Sequence, residues 1–118
     1  MADTITQIEI PGVTKLKSGK VREVFDLDDA LLFVATDRIS AFDVILPNPI
    51  PEKGRVLTAL SEFWFGKTWH IVENHFLTSD YAELRSRVGN IESLRHRSML
   101  VRKCQPLPVE CVDRKSVV

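Results

Sequence analysis

Two short strand-like segments separated by a polar turn constrain the fold of this chain most strongly. Residues 13–16 and 21–27 each suit a short strand, and Ser18, Gly19 and Lys20 lie between them. A glycine-containing polar turn between two such segments is typical of a β-hairpin. Because a hairpin requires antiparallel pairing, the sequence predicts an antiparallel sheet that begins here. Residues 1–12 end at a Pro-Gly pair and are expected to form a loose leader.

The segments that follow predict further strands and helices. Residues 31–35 form a short apolar run bounded by polar turns, which indicates a strand covered on both faces. Residues 40–54 contain three prolines and a glycine, a composition typical of a long loop. Further predictions are a strand at 76–78, a helix at 81–88 and strands at 98–104 and 109–112.

The clearest predicted helix covers residues 54–72. Its apolar residues recur at steps of three and four, so they are expected to share one face and pack on the sheet. Strands and helices do not alternate regularly, which favours an α+β fold, an antiparallel sheet with a packed helix, over a doubly wound one. The residues of the predicted apolar face are Val56, Leu57, Leu60, Phe63, Trp64 and Ile71.

Composition narrows the class of protein. The chain has 118 residues, enough for one domain, and its 16 basic residues balance its 16 acidic ones. A chain without net charge has no overall field that attracts nucleic acid or anionic lipid, so any anion site must be local. No export signal is visible and no apolar run approaches the ~20 residues that span a bilayer, so a soluble, cytoplasmic protein is expected.

No metal site is predicted from the cysteines and histidines. Cys104 and Cys111 are too far apart for a CxxC motif, and their apolar neighbours favour two free, buried thiols. His70, His75 and His96 show no spacing typical of metal ligands and are interpreted as structural residues.

The hairpin turn is the first candidate site. Glycine lets backbone N–H groups approach a phosphate, and Lys20 and Arg22, two apart on a strand, project to the same side as paired cations. Together they suit a polyphosphate. Taken alone, however, the segment has no Walker motif, and an ordinary surface turn remains the simpler interpretation.

Two further candidate sites follow the buried strand. Asp37, Ser40 and Asp43 suit a metal or a substrate; the alternative is a polar turn in which Arg38 pairs with one carboxylate. Lys53 stands at the entrance of the long helix, where unpaired N–H groups favour anions, although a solvated lysine is the commoner case.

Residues 85–103 carry six basic side chains against the single acid Glu92. Such a patch is compatible with RNA binding, but it lacks the interleaved aromatic residues on which bases stack. A solvated face, or a contact with another part of a larger protein, is the alternative.

Consecutive blocks of the sequence resemble the SAICAR synthetase family in order and spacing. The blocks are LKSGKVREVF, LLFVATDRISAFDVILPNPIPEKGRVLTALSEFWF and RSMLVRKCQPLPVECV, which together cover residues 16–112. The resemblance implies the N-terminal ATP-binding lobe, residues 13–112, of a ligase of purine biosynthesis. That family joins carboxyaminoimidazole ribotide to L-aspartate and uses ATP and Mg²⁺, with an acyl phosphate as the expected intermediate.

The resemblance also implies roles for individual residues. The hairpin becomes a lid over the ATP phosphates, residues 99–103 line the adenine, and the loop, the helix entrance and the last matching block face the ribotide. No single catalytic residue and no magnesium ligand is implied in this segment, since the magnesium-binding acids are expected in the family's C-terminal part. The implied ATP-binding residues are Ser18, Gly19, Lys20, Arg22, Met99, Val101 and Lys103; the implied substrate-binding residues are Ser40, Asp43, Lys53, Glu110 and Arg114.

The chain departs from the family pattern after Val112. Asp113 replaces an apolar position, and residues 113–118 form a divergent tail. This pattern predicts a truncated lobe that is inactive on its own, and a nucleotide-binding module without turnover is the alternative function.

Overall fold

A computed structural model describes residues 4–113 as one five-stranded antiparallel sheet with two helices and a small separate hairpin. The order across the sheet is β1-β2-β3-β7-β6. The predicted α+β class is therefore confirmed. The strands are β1 (Thr14–Ser18), β2 (Arg22–Asp26), β3 (Ala30–Ala35), β4 (Ser40–Ala41), β5 (Val44–Ile45), β6 (Phe76–Thr78) and β7 (Ser98–Arg102); the helices are α1 (Lys53–Thr68) and α2 (Tyr81–Val88).

The hairpin β1-β2 is irregular in a way that decides where its cations point. A bulge interrupts the pairing between Lys15 and Lys17, so Lys15 lies opposite Phe25 whereas Lys17 lies opposite Val24. Successive residues of β2 face opposite sides of the sheet. The bulge therefore places two lysines that are two positions apart on opposite faces.

One face of the sheet, the core face, carries the hydrophobic core. Phe25, Leu32 and Val34 pack there with residues of α2 and of the N-terminal segment. Ile8 and Ile10 from that segment are almost fully buried in the same cluster. The expectation of a loose leader is therefore wrong for these residues, because their apolar side chains complete the core.

Helix α1 packs on the opposite face, and it does so with small residues. Only Gly54 and Thr58 of α1 are buried. A Cβ atom on Gly54 would lie 2.2 Å from the carbonyl oxygen of Ala35, so the close approach of helix and strand requires glycine. Thr58 donates a hydrogen bond of 2.9 Å to the carbonyl oxygen of Arg97.

The predicted apolar face of this helix is largely wrong. Of its members, Leu57 is partly buried and lies toward the sheet, whereas Val56, Leu60, Phe63, Trp64 and Ile71 are each at least half exposed. The side of α1 that packs is the side that carries the small and hydroxyl residues, because the backbone of β3 comes too close for large side chains. The large apolar side chains consequently form an exposed surface, which we call the outer face of α1.

A buried ion pair and its hydrogen bonds join four parts of the chain beside this contact. Nη1 of Arg97 lies 2.9 Å from Oδ1 of Asp37, and both side chains are almost completely buried. The backbone N–H groups of Ile5 and Gly54 also donate to the Asp37 carboxylate, each at 2.9 Å. Burial alone raises the pKa of Asp37, but the hydrogen bonds from Arg97, Ile5 and Gly54 hold that pKa below its ordinary value. Asp37 is thus a structural residue and not a free ligand.

Other differences from the sequence predictions lie at the ends of elements. The second strand predicted near the C-terminus, at 109–112, is not formed, and α1 ends at Thr68, four residues before the predicted end. The loop 40–54 contains the hairpin β4-β5. Cys104 and Cys111 are free as expected, but both are exposed and not buried. No helix in the described part of the chain is long and apolar enough to cross a membrane.

Candidate functional site

The tip of the β1-β2 hairpin overhangs a cavity of about 340 Å³ on the α1 side of the sheet. We call it the hairpin cavity. Three of its lining residues are cations, Lys17, Lys20 and Arg22, and Gly19 contributes backbone. Among the described residues that line it there is no carboxylate. Its walls therefore suit an anion.

Lys17 was not among the residues predicted for this site. It stands outside the SGK turn, and spacing alone groups it with Lys15, whose ammonium pairs with Glu9 and Glu23. The bulge in β1 separates the two lysines. A lysine immediately before a glycine-containing turn was the available signal, but the face that it occupies depends on a backbone irregularity that periodicity does not reveal.

Arg22 connects the hairpin cavity with a second cavity of about 320 Å³ beneath α1. Its guanidinium lies 5.7 Å from the ring centroid of Phe33, a distance typical of a cation–π contact. His75 lines the second cavity, edge-on to Phe33 at 5.5 Å between ring centroids. Burial, with a smaller effect from the charge of Arg22, lowers the pKa of His75. An uncharged His75 leaves Arg22 as the cation at the junction.

Lys20 forms an ion pair with Asp43, which lies at the turn of the β4-β5 hairpin. The sequence suggested both residues separately, and the structure brings them together. The hydrogen bond from Lys20 lowers the pKa of the Asp43 carboxyl. Phe42 and Asp43 both adopt positive φ angles, 52° and 63°, as a tight two-residue turn between β4 and β5 requires. Ser40 is partly buried in β4 and pairs with Ile45 across this turn.

Lys53 begins α1, as predicted, and is partly buried. Its backbone N–H donates to the carbonyl oxygen of Ile50 at 3.2 Å. Glu52 precedes it with a φ of 68° and provides no side-chain cap. The buried carboxylate of Asp37 lies directly at this helix entrance, where it accepts the N–H of Gly54, the second residue of α1.

The residues predicted to line an adenine lie on and after β7. Met99 lines the cavity beneath α1, whereas Val101 is completely buried opposite Leu31 in the sheet. Lys103 follows the strand and forms an ion pair of 2.8 Å with Asp26 at the far end of β2. Lys103 and the hairpin tip are thus separated by the length of β2, about 13 Å for four steps of ~3.3 Å.

The last candidates lie beyond the sheet. Glu110 is exposed in a segment without regular structure, and within residues 4–113 it makes no hydrogen bond or ion pair with the cavity residues. Arg114 lies outside the described residues. Ser18 ends β1, and its hydroxyl donates to Glu23 at 3.1 Å, which directs it toward the core face and away from the hairpin cavity.

Arg38 is the residue whose role the sequence interpretation missed. It was expected, as an alternative, to pair with a neighbouring carboxylate of its own turn, but it pairs with Glu23 on β2 at 2.8 Å. The same guanidinium donates to the carbonyl oxygens of Gly19 at 2.8 Å and Lys20 at 3.1 Å. Burial raises the pKa of Glu23, but hydrogen bonds from Arg38, Ser18 and Lys15 hold it below its ordinary value. The hairpin tip is therefore anchored from its core side by a charged pair.

The basic segment 85–103 does not form a single cationic surface. Four of its six cations are neutralised: Arg87 by Asp29, Arg95 by Glu92, Arg97 by Asp37 and Lys103 by Asp26. Within residues 4–113 no group of three or more His, Cys, Asp or Glu side chains is arranged to hold a metal ion.

Comparison with known proteins adds evidence to this geometry. The family model described as SAICAR synthetase matches residues 15–118. The chain belongs to the SAICAR synthetase family. Among its relatives, the phosphoribosylaminoimidazole-succinocarboxamide synthase of Thermodesulfovibrio yellowstonii is 49% identical over 115 residues, which are 97% of this chain and 39% of that protein. The synthase of the same name from Desulfatibacillum aliphaticivorans is 50% identical, with 97% and 38% covered.

Solved structures agree with the family. A structure named SAICAR synthase superimposes with a TM-score of 0.76 and 44% identity over 89% of this chain and 39% of that one. The SAICAR synthase from Saccharomyces cerevisiae, complexed with SAICAR, gives a TM-score of 0.72 and 45% identity over 85% of this chain and 37% of that one. The chain therefore corresponds to an N-terminal portion of these proteins and spans about two fifths of their length.

Proposed function

We propose that this chain supplies the nucleotide-binding lobe of an ATP-dependent ligase that joins carboxyaminoimidazole ribotide to L-aspartate. The observation that carries the proposal is the hairpin cavity: Lys17, Lys20 and Arg22 line it, no described lining residue carries a carboxylate, and Asp43 pairs with Lys20 from outside the lining. A polyphosphate needs several cations at short range, because each offsets part of its charge.

In this function the substrate carboxylate is a poor acyl donor until it is phosphorylated. Transfer of the γ-phosphoryl group to that carboxylate breaks the bond to ADP and forms an acyl phosphate. The amine of aspartate then attacks the carbonyl carbon, and inorganic phosphate leaves. Phosphoryl transfer depends mainly on positioning and on cations near the phosphates, the two contributions that the hairpin residues are suited to make.

The nucleotide is proposed to lie along β2, with its phosphates and its adenine at opposite ends of the strand. Lys20 and Arg22 stand at the end proposed for the phosphates, and Lys103 stands at the end proposed for the adenine. Met99 lies between them, beside Phe33, which pairs with Val24 in the middle of β2. Lys20 must exchange Asp43 for a phosphate oxygen when a nucleotide binds. That exchange frees the β4-β5 turn, on which Ser40 and Asp43 are proposed to meet the ribotide together with Lys53, Glu110 and Arg114.

Mg²⁺ is proposed to accompany ATP and to offset charge between its phosphates. Magnesium in such sites is commonly held by one or two carboxylates and the phosphates themselves. Because the described residues contain no cluster of ligands, the proposal assigns magnesium no ligand in this lobe and expects the acidic residues in the rest of the family's length.

A nucleotide-binding module without turnover is the second candidate. The observation that favours it is the openness of the site: the outer face of α1 and the β4-β5 turn, with Phe42 fully exposed, face solvent. A catalytic cleft needs an opposing wall that excludes water and strengthens electrostatic interactions. We therefore expect turnover only when the remaining family length is joined to this lobe.

A coupled assay of ADP release separates these functions. The 118-residue chain and a longer chain that adds the C-terminal length of a relative are each given ATP, aspartate and the ribotide. Aspartate-dependent ADP release from the longer chain alone is expected. Release from the short chain would show that the lobe suffices, and no release from either would contradict the ligase assignment.

A further inference from the structure

Arg38 is bound to the hairpin tip by more contacts than a structural ion pair requires. Its guanidinium donates to Glu23, to the carbonyl oxygen of Thr6 and to the two consecutive carbonyl oxygens of Gly19 and Lys20. The side chain is only 11% exposed, and Glu23 is completely buried. Such a fork fixes the direction of both carbonyls at once.

The direction of these carbonyls determines the direction of the next two N–H groups. In a trans peptide the C=O and the following N–H lie in one plane and point in opposite directions. The carbonyls of Gly19 and Lys20 point toward Arg38, on the core face, so the N–H groups of Lys20 and Val21 point away from it. The opposite side is that of the hairpin cavity, which both residues line.

These two N–H groups have no acceptor within residues 4–113, whereas the neighbouring N–H of Gly19 donates to the carbonyl oxygen of Arg22 at 2.8 Å. Consecutive N–H groups that point into a concavity form an anion-binding nest. Lys17, Lys20 and Arg22 line the same cavity, and the ammonium of Lys20 pairs with Asp43 in the structure.

We infer that Arg38 is a positioning residue for a backbone nest at Lys20 and Val21 that binds a phosphate oxygen. The inference deepens the proposed function, on which it rests, because it assigns the phosphate contact to backbone as well as to side chains. Arg38 touches no phosphate itself. It stabilises the tip conformation in which the two N–H groups are presented before the ligand arrives, so no free energy is spent on ordering them afterwards.

The test uses inorganic tripolyphosphate as the probe and amide NMR of the 118-residue chain as the readout. In the unchanged protein we expect the amide protons of Lys20 and Val21 to shift on titration more than that of Gly19, which already has an acceptor. This arm needs no variant. Binding that moves lysine side-chain signals but leaves the two amides in place would overturn the nest and leave the cation site intact.

Arg38→Lys provides the second arm, because a lysine keeps the charge but lacks the planar fork that directs two carbonyls. We expect affinity for tripolyphosphate to fall about tenfold and the selective amide shifts to disappear. Glu23→Gln is the matched control, since it weakens the same buried pair but leaves both carbonyl contacts of Arg38. Arg85→Lys, on the exposed surface of α2, is a second control, for an arginine far from the hairpin.

The outcomes are distinguishable. Equal loss of affinity in Glu23→Gln and Arg38→Lys would mean that stability alone is responsible and would overturn the positioning role. Unchanged affinity in Arg38→Lys would overturn it as well, with the cation site still standing. Absence of any tripolyphosphate binding to the unchanged chain would instead contradict the proposed phosphate site.

Discussion

Replacing Arg97 by methionine removes the partner of a carboxylate that is completely buried. Asp37 would keep the N–H groups of Ile5 and Gly54 but lose its only formal countercharge among residues 4–113. Breaking a buried pair on one side typically costs 3–5 kcal/mol, because the remaining charge stays in a medium of low dielectric constant. Since domains of this size are stable by roughly 5–15 kcal/mol, the variant should lose a large part of its free energy of unfolding.

The pH dependence of that loss provides a second measurement. Asp37 has a pKa held below its ordinary value of 3.8, so it contributes stability that is present above that value and lost as pH falls through the lowered folded pKa. Burial is the largest single influence on this pKa, and without Arg97 we expect it to outweigh the hydrogen bonds from Ile5 and Gly54 and to raise the pKa of Asp37. Protonation of Asp37 then removes the buried charge from the variant. The difference in free energy of unfolding between the unchanged protein and the variant should therefore be largest at pH 7 and shrink toward pH 4.

Urea unfolding followed by tryptophan fluorescence measures both effects, because Trp64 and Trp69 lie in and just after α1. Asp29→Asn is the matched control: it removes one member of an exposed ion pair, with Arg87, and should cost less than about 1 kcal/mol. An Arg97→Met variant that loses no more free energy of unfolding than this control at pH 7 would mean that the buried pair contributes no more to stability than an exposed one.

Three further predictions concern packing, association and pH. Gly54→Ala should lower the free energy of unfolding, measured in urea, by about 1–3 kcal/mol, because the added Cβ has no room. Gly66→Ala is the control: nothing lies within 4 Å of its added Cβ, so it should be neutral or slightly stabilising. Equal effects would contradict the close contact between helix and strand. The exposed apolar outer face of α1 should cause the chain to self-associate, as measured by sedimentation velocity. Trp64→Gln should reduce this association more than Leu16→Gln, an exposed change on β1; equal effects would mean that the outer face of α1 is not the associating surface. Because the pKa of His75 is lowered in the folded protein, the free energy of unfolding should fall as pH drops below about 6.5. His75→Phe should reduce this dependence of stability on pH. If the dependence is unchanged in His75→Phe, His75 is not its cause.

The strands of this fold were predictable because their signals are local. The SGK turn between two strand-like segments predicted the hairpin, and the apolar run before Thr36 predicted β3, both of which are formed. The burial of Ile8 and Ile10 was not predictable in the same way, since it depends on a distant helix and sheet that complete the core. The sequence of a short segment does not indicate whether a hydrophobic cluster elsewhere in the fold will bury it.

The helix α1 shows a different limit. Periodicity found the helix but not its packed side, because a pattern of large apolar residues does not say which surface will face them. The packed side is set by Gly54 and Thr58 against the backbone of β3.

The least predictable feature of the candidate site was which acidic and basic side chains form ion pairs with each other. Asp37 and Arg38 are adjacent, yet they pair with Arg97 and Glu23, 60 and 15 residues away. The sequence predicted Lys20 and Arg22 as two cations on one strand; both line the hairpin cavity, although Lys20 lies in the turn before β2. The contribution of Lys17 and the anchoring by Arg38 depend on a bulge and on contacts between distant segments.

Binding of the ATP phosphates in the hairpin cavity can be measured by calorimetric titration of ATP into the 118-residue chain and its Lys20→Ala variant. Arg85→Ala, a loss of charge on the exposed side of α2, serves as the control. We predict an affinity for ATP about tenfold lower for Lys20→Ala and little changed for Arg85→Ala. The affinity of the unchanged protein should fall as salt is added. If Lys20→Ala and the unchanged chain bind ATP with equal affinity, the hairpin cavity is not the site of the ATP phosphates.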